Sequence, residues 1–384
     1  MARYDLLIKG GTVIDPAAGL DETRDVAVSD GRIALVAEGI PAGEAAEALD
    51  ATGLVVTPGL IDFHLHAFRG GTRIGLDIDR FCLPRGVTTG VDCGSSGAYN
   101  FPAFRELVIS KARSRLFCFL NLAAIGQVDI RVGELEDLRH IDEEATIKCV
   151  EANRDVILGL KVRLSRYAVG QNSLRPLAIA RPIADQLGVP IMVHVGDTDA
   201  PLADILALLK GGDIVTHYLT PHEHGVLDAN GHVQQAVRGA VARGVILDTA
   251  VGRLHLGVEV ARKAFAEGLM PDVISTDVTI FGAYGNVRDL PYIMSSLMAL
   301  GLNLEQVIER TTANPAHLLG RESELGTLQP GAVADVAAFA VEEGEYEFTS
   351  SIGEKFVGKH NLSPRLVIRA GRQVPVEEIP REVR

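Results

Sequence analysis

The sequence predicts an α/β protein, a (β/α)8 TIM barrel with a small β-sandwich domain built from both termini. Three observations point there. Eight short apolar runs alternate with amphipathic stretches through the middle of the 384-residue chain. Those runs are near-continuously apolar, as parallel strands buried on both faces must be. Short β-like pieces bounded by turn residues occur at both ends, and neither set is long enough to close a core alone. The expected division is residues 1–58 plus 323–384 for the small domain and 59–322 for the barrel.

Taken in order, Tyr4 to Lys9 is apolar, Gly10-Gly11 makes a turn, Thr12 to Ile14 resumes, and Asp15-Pro16 breaks it. Val26–Val28 and Arg32–Val36 form a hairpin across Asp30-Gly31. The barrel strands are Leu60–His66, Val87–Cys93, Leu116–Ile125, Val156–Val162, Pro190–Val195, Asp213–Tyr218, Val245–Ala250 and Asp272–Thr276. Between them lie helices at Phe101–Arg113, Glu143–Ala152, Pro176–Leu187, Leu202–Lys210, Val233–Arg243 and Val258–Glu267. Gly188, Gly211-Gly212, Gly244 and Gly268 sit where helix C-caps belong. Ala334–Phe339 and Leu366–Ile368 supply the last strands, and the acidic stretch Glu342–Glu347 reads as a solvated turn.

Composition narrows the function. Against 50 Asp and Glu stand 37 Lys and Arg, a net charge of −13, which argues against a nucleic-acid surface. Hydrophobic residues at 47% and charged residues at 23% exclude a disordered chain. Cys82, Cys93, Cys118 and Cys149 are too scattered for a disulfide framework. No apolar run approaches the roughly 18 residues of a membrane span, and the N-terminus lacks an apolar signal core. The expectation is a cytoplasmic protein acting on a small molecule, with neither nucleic acid nor membrane as partner and homo-oligomerisation left open.

The polar residues at the strand ends carry the chemistry. His64 and His66 close the first run, and residues i and i+2 of a strand share a face. Lys161 sits inside Leu158-Gly-Leu-Lys-Val162, where an unpaired cation is costly. His194, His217 and Asp277 end or follow the fifth, sixth and eighth runs. All six belong to the carboxyl ends of strands 1, 4, 5, 6 and 8, the face on which barrel active sites are built. Any one of them alone reads as a hydrogen-bonded core or rim residue. Together they read as a metal site, and imidazoles with a carboxylate suit Zn²⁺, with Mn²⁺, Fe²⁺ or Co²⁺ fitting a similar geometry.

With these residues in this order, the chain resembles the amidohydrolase superfamily. Thr57-Pro-Gly-Leu-Ile-Asp62 ahead of the histidines, Thr311-Thr-Ala-Asn-Pro-Ala316, and Gly326-Thr-Leu-Gln-Pro-Gly-Ala-Val-Ala-Asp335 match its usual segments too. The resemblance implies two divalent ions. His64, His66 and Asp277 would hold an inner ion, and His194 and His217 an outer one. Lys161, carboxylated by CO₂ to N6-carboxylysine, would bridge them, and a hydroxide shared by the ions would attack a carbonyl. Asp277 would be the catalytic proton carrier. Within the superfamily the chain looks like the dihydroorotase and D-aminoacylase branch, closest to deacetylase-type members often labelled dihydroorotase. These cleave acetyl groups from N-acetyl-D-amino acids or acetylated R-2-hydroxy acids. Dihydroorotases usually carry an Arg two residues after H-x-H, where this chain has Phe68. The alternatives are a cyclic-amide hydrolase of dihydroorotase or hydantoinase type and, more remotely, a non-catalytic scaffold barrel.

Five further residues are substrate-contact candidates. Arg163, two positions past Lys161, shares its face and would grip a carboxylate. Cys93 ends strand 2 as a pocket-wall residue, and Ser95 lies in the Gly94-Ser-Ser-Gly97 loop. Tyr218 follows His217 and Tyr284 comes soon after Asp277. His222 and His224 imitate the H-x-H pair but read as loop residues, and His140, His232, His255, His317 and His360 have no comparable context.

Overall fold

Residues 2–377, described by a computed structural model, sort into two sheets. The chain opens with β1 (Tyr4–Asp15), β2 (Leu20–Ser29), β3 (Arg32–Ala37), β4 (Ala45–Asp50) and β5 (Val55–Pro58). Strand alternation gives β1 two apolar faces. Leu6 and Ile8 pack into one cluster with Val56 and Val336, while Leu7 between them packs into another with Ala27 and Ile40. The sequence reading splits β1 at Gly10-Gly11. The strand instead runs through, and its pairing with β2 shifts register between Ile8 and Gly11.

Seven parallel strands follow: β6 (Leu60–Leu65), β7 (Val87–Gly97), β8 (Arg115–Asn121), β9 (Ile157–Arg163), β10 (Ile191–His194), β11 (Ile214–Thr216) and β12 (Ile246–Asp248). They pair in chain order from β6 to β12 and are covered by helices on the outside. The helix Arg175–Leu187 shows the logic. It buries Leu177, Ala180, Ile183, Ala184 and Leu187 at i, i+3, i+4 spacing and stops at Gly188, whose φ is 65°.

The eighth expected strand, Asp272–Thr276, does not form a ladder. It closes the TIM-barrel-like fold through two parallel bridges, Asp248 with Val273 and Leu65 with Val278. Buried Asp62 on β6 fastens this segment, accepting from the Thr276 amide at 3.0 Å and from its hydroxyl at 2.6 Å.

The chain returns to the first sheet as β13 (Val336–Thr349), β14 (Lys355–Arg369) and β15 (Arg372–Val374), giving the order β15-β14-β13-β5-β1-β2-β3 with β4 beside β1. Glu342–Glu347 is therefore strand rather than turn. Glu342 and Glu343 stand opposite Asn361 and His360 of β14, and Glu342 and Glu347 pair with Arg365 and Lys355. The hairpin of β13 and β14 is long enough to lie along the barrel, where the Leu362 amide donates to Ser295 Oγ at 2.9 Å. Positions 378–384 of the expected small domain lie outside the described residues. Among the described residues no helix is long and apolar enough to cross a membrane.

Candidate active site

The strands deliver their polar ends to one cavity of about 400 Å³, lined by all six expected ligands together with Cys93 and Arg163. A wider, shallower depression of about 760 Å³ lies on the terminal sheet beside Lys9 and Asp25. Its cations are already paired, Lys9 with Asp25 at 2.8 Å and Arg24 with Glu22 and Glu38.

His64 is fixed from behind. Its Nδ1–H donates to Asp248 Oδ2 at 3.0 Å, with Thr216 Oγ1 at 2.9 Å, so its Nε2 lone pair faces the cavity. That nitrogen lies 3.2 Å from Lys161 Nζ and 3.7 Å from Asp277 Oδ1. His66 Nε2 is 3.1 Å from the same Asp277 oxygen, while its Nδ1 is 2.9 Å from Ser95 Oγ. His217 Nδ1–H donates to the Ala250 carbonyl at 2.7 Å, turning its Nε2 toward His194. Two groups of nitrogens and oxygens thereby form, His64–His66–Asp277 and His194–His217–His255, each spanning no more than 4.8 Å.

Electrostatics agree with a cation site. Burial and the Lys161 charge push His64 well below its usual range, and burial does the same to His194 and His217, leaving neutral imidazoles. Burial lowers the Lys161 amine to about 8. His194 Nε2 and His255 Nδ1 are buried with no hydrogen-bond partner among the described residues. The donor set and these orphaned atoms fit divalent ions. Backbone strain also gathers here: His217, Ala250 and Asp277 have φ of 70°, 36° and 50° without being glycine. Gly94 makes room for the lysine, since a Cβ there would meet Lys161 Cγ at 2.6 Å.

The remaining candidates divide. Arg163 lines the cavity, donating to Glu134 Oε1 at 2.9 Å and to the Tyr167 hydroxyl. Cys93 lies on the floor, its thiol pushed up by burial. Ser95 sits behind His66 rather than in the cavity wall. Tyr218 is fully buried and Tyr284 packs edge-on to Phe81, and neither lines the cavity. His222 flanks the His255 ring at 5.9 Å.

Sequence reasoning missed His255, Asp248 and Glu134. Asp248 is an acid inside an apolar run, the same signal that singled out Lys161. His255 follows an exposed Arg253-Leu254 and carries no such signal.

The profile of the amidohydrolase family matches residues 55–374. A deacetylase of Agrobacterium fabrum is 35% identical over 353 residues, covering 90% of this chain and 86% of that protein. Among solved structures, one described as an adenine deaminase superposes with a TM-score of 0.89 at 32% identity, covering 97% of this chain and 99% of that one. One described as a dihydroorotase also gives 0.89, at 33% identity, over 96% and 97%.

Proposed function

The chain belongs to the amidohydrolase family, and from that premise we propose that it removes an acetyl group from a small carboxylate-bearing substrate. The substrate class is an N-acetyl-D-amino acid or an acetylated R-2-hydroxy acid. The observation that carries this reading is the convergence of six polar groups, from four strand ends and the bridged segment before Asp277, on one cavity that also holds the Arg163 guanidinium.

In this reading His64, His66 and Asp277 would hold one Zn²⁺, His194 and His217 would hold a second, and Lys161, as a carbamate, would add an anionic oxygen ligand. Ions so held supply Lewis acidity and activate water at neutral pH. The protein does the rest. Burial keeps the Lys161 amine near pKa 8, so a neutral fraction is available to add CO₂ and become an anionic oxygen donor. Asp248 locks the His64 tautomer. Asp277 accepts the proton of the attacking water and returns it to the leaving nitrogen or oxygen. Arg163, already oriented by Glu134 and Tyr167, binds the substrate carboxylate with its remaining donors. Cys93 stays a neutral thiol in the wall. The proposed catalytic barrel is residues 59–322, with an accessory domain from residues 2–58 and 323–377 among those described.

A cyclic-amide hydrolase is the second reading, favoured by the structural likeness to a chain described as a dihydroorotase. Against it, Phe68 is buried against Phe104, and Arg69 is turned away to an exposed pair with Asp77. A panel of N-acetyl-D-amino acids, acetylated 2-hydroxy acids, dihydroorotate and hydantoin decides between them. Acetate release from the first two sets is expected, and ring opening of dihydroorotate without acetate release would reverse the choice. His64→Ala and Lys161→Ala should lose metal and activity together. Asp277→Asn should retain part of its metal while slowing turnover by about 10²–10⁴.

A further inference from the structure

Nothing in the six-ligand reading uses His255, yet it lies in the same cavity and is nine-tenths buried. Its ring centroid is 4.1 Å from that of His217 and 5.0 Å from that of His194. One ligand nitrogen from each of these three rings falls within a 4.8 Å group. His255 Nδ1 and His194 Nε2 are both buried without a hydrogen-bond partner among the described residues. A buried polar atom left without a partner is destabilising. Three imidazoles gathered around unsatisfied lone pairs call for a shared cation.

The surrounding chain is shaped to keep the ring there. Gly196, at φ 118°, leaves room for the ring, since a Cβ on that residue would stand 2.9 Å from His255 Nδ1. The Leu256 amide, next in sequence, donates to Ser351 Oγ at 2.6 Å from the tip of the β13–β14 hairpin. Two residues further, the Val258 amide donates to Glu354 Oε2 of the same tip at 2.9 Å.

We propose that His255 is a third imidazole ligand, so that His194, His217 and His255 form a three-histidine site for the outer divalent cation. This rests on the reading of the cavity as a two-metal centre. Three imidazoles with an open position form a self-sufficient Zn²⁺ site. The outer ion then depends less on the Lys161 carbamate than it would in a two-histidine site.

The test is metal content and affinity, independent of turnover. Metal-free wild type, His255→Ala and His255→Asn are titrated with Zn²⁺, and with Co²⁺ to record the visible spectrum, with thermal melts confirming that each variant is folded. Wild type should take up two ions per chain. Either variant should hold one ion as before and bind the second at least 10-fold more weakly, with an altered Co²⁺ spectrum. Two ions bound with unchanged affinity and spectrum in a folded variant would overturn the proposal and make His255 a pocket residue. A wild type that binds no ion would overturn the two-metal reading itself.

Discussion

Lys161 is a cation placed where water does not reach. Burial brings its pKa to about 8 from the usual 10.5, and the unfolded chain therefore binds the extra proton between those values. Stability of the metal-free protein in CO₂-free buffer should rise as pH increases from about 8 toward 10.5, and Lys161→Met should lose that rise. Urea unfolding at pH 8 and pH 10 measures it. Asp248 raises a second question at this scale. It is fully buried, with its own pKa pushed up to about 6 by desolvation, and it receives His64 Nδ1–H and the Ser275 hydroxyl. Asp248→Asn keeps the volume but removes the anion that fixes the imidazole, and should weaken Zn²⁺ binding about 10–100-fold. Equilibrium competition with a chelator would show it. The six ligand candidates were legible because each is a polar residue at the end of, or within, an apolar run. Glu134 was not, because it lies on a turn and its partner Arg163 comes from β9, 29 residues away.

Strand boundaries were legible where both faces are apolar and lost where the chain bends into the site. β11 and β12 are shorter than expected because His217 and Ala250 adopt left-handed backbone just past them. The eighth strand is reduced to two bridges, and the Asp62–Thr276 contacts do what a ladder would otherwise do. The largest departure is the β13–β14 hairpin. Its acidic middle imitates a turn, and only the cross-strand cations on β14 reveal a ladder. The consequence is a tip that reaches the His255 loop. Ser351→Ala leaves the buried Leu256 amide without its acceptor, a loss of about 1–3 kcal/mol. Hydrogen exchange at Leu256 and Val258 should accelerate, while exchange in β9 stays unchanged.

The molecule as a whole joins an accessory sheet made from both chain ends to a barrel whose first strand follows directly from β5. The sheet was legible only as two sets of β fragments. That β5 lies between β13 and β1 is a tertiary fact set by antiparallel and parallel pairing, not by any local pattern. The proposed site belongs to the barrel, in one cavity lined from four strand ends and the bridged segment before Asp277. Divalent ions at that cavity are proposed to drive acyl hydrolysis. Acetate release from an N-acetyl-D-amino acid or acetylated 2-hydroxy acid panel, followed while the chelated protein is titrated with Zn²⁺, tests this most directly. Release should be absent at the start, return with added Zn²⁺ and level off near two equivalents per chain; full release from the chelated protein, with no response to Zn²⁺, would contradict it.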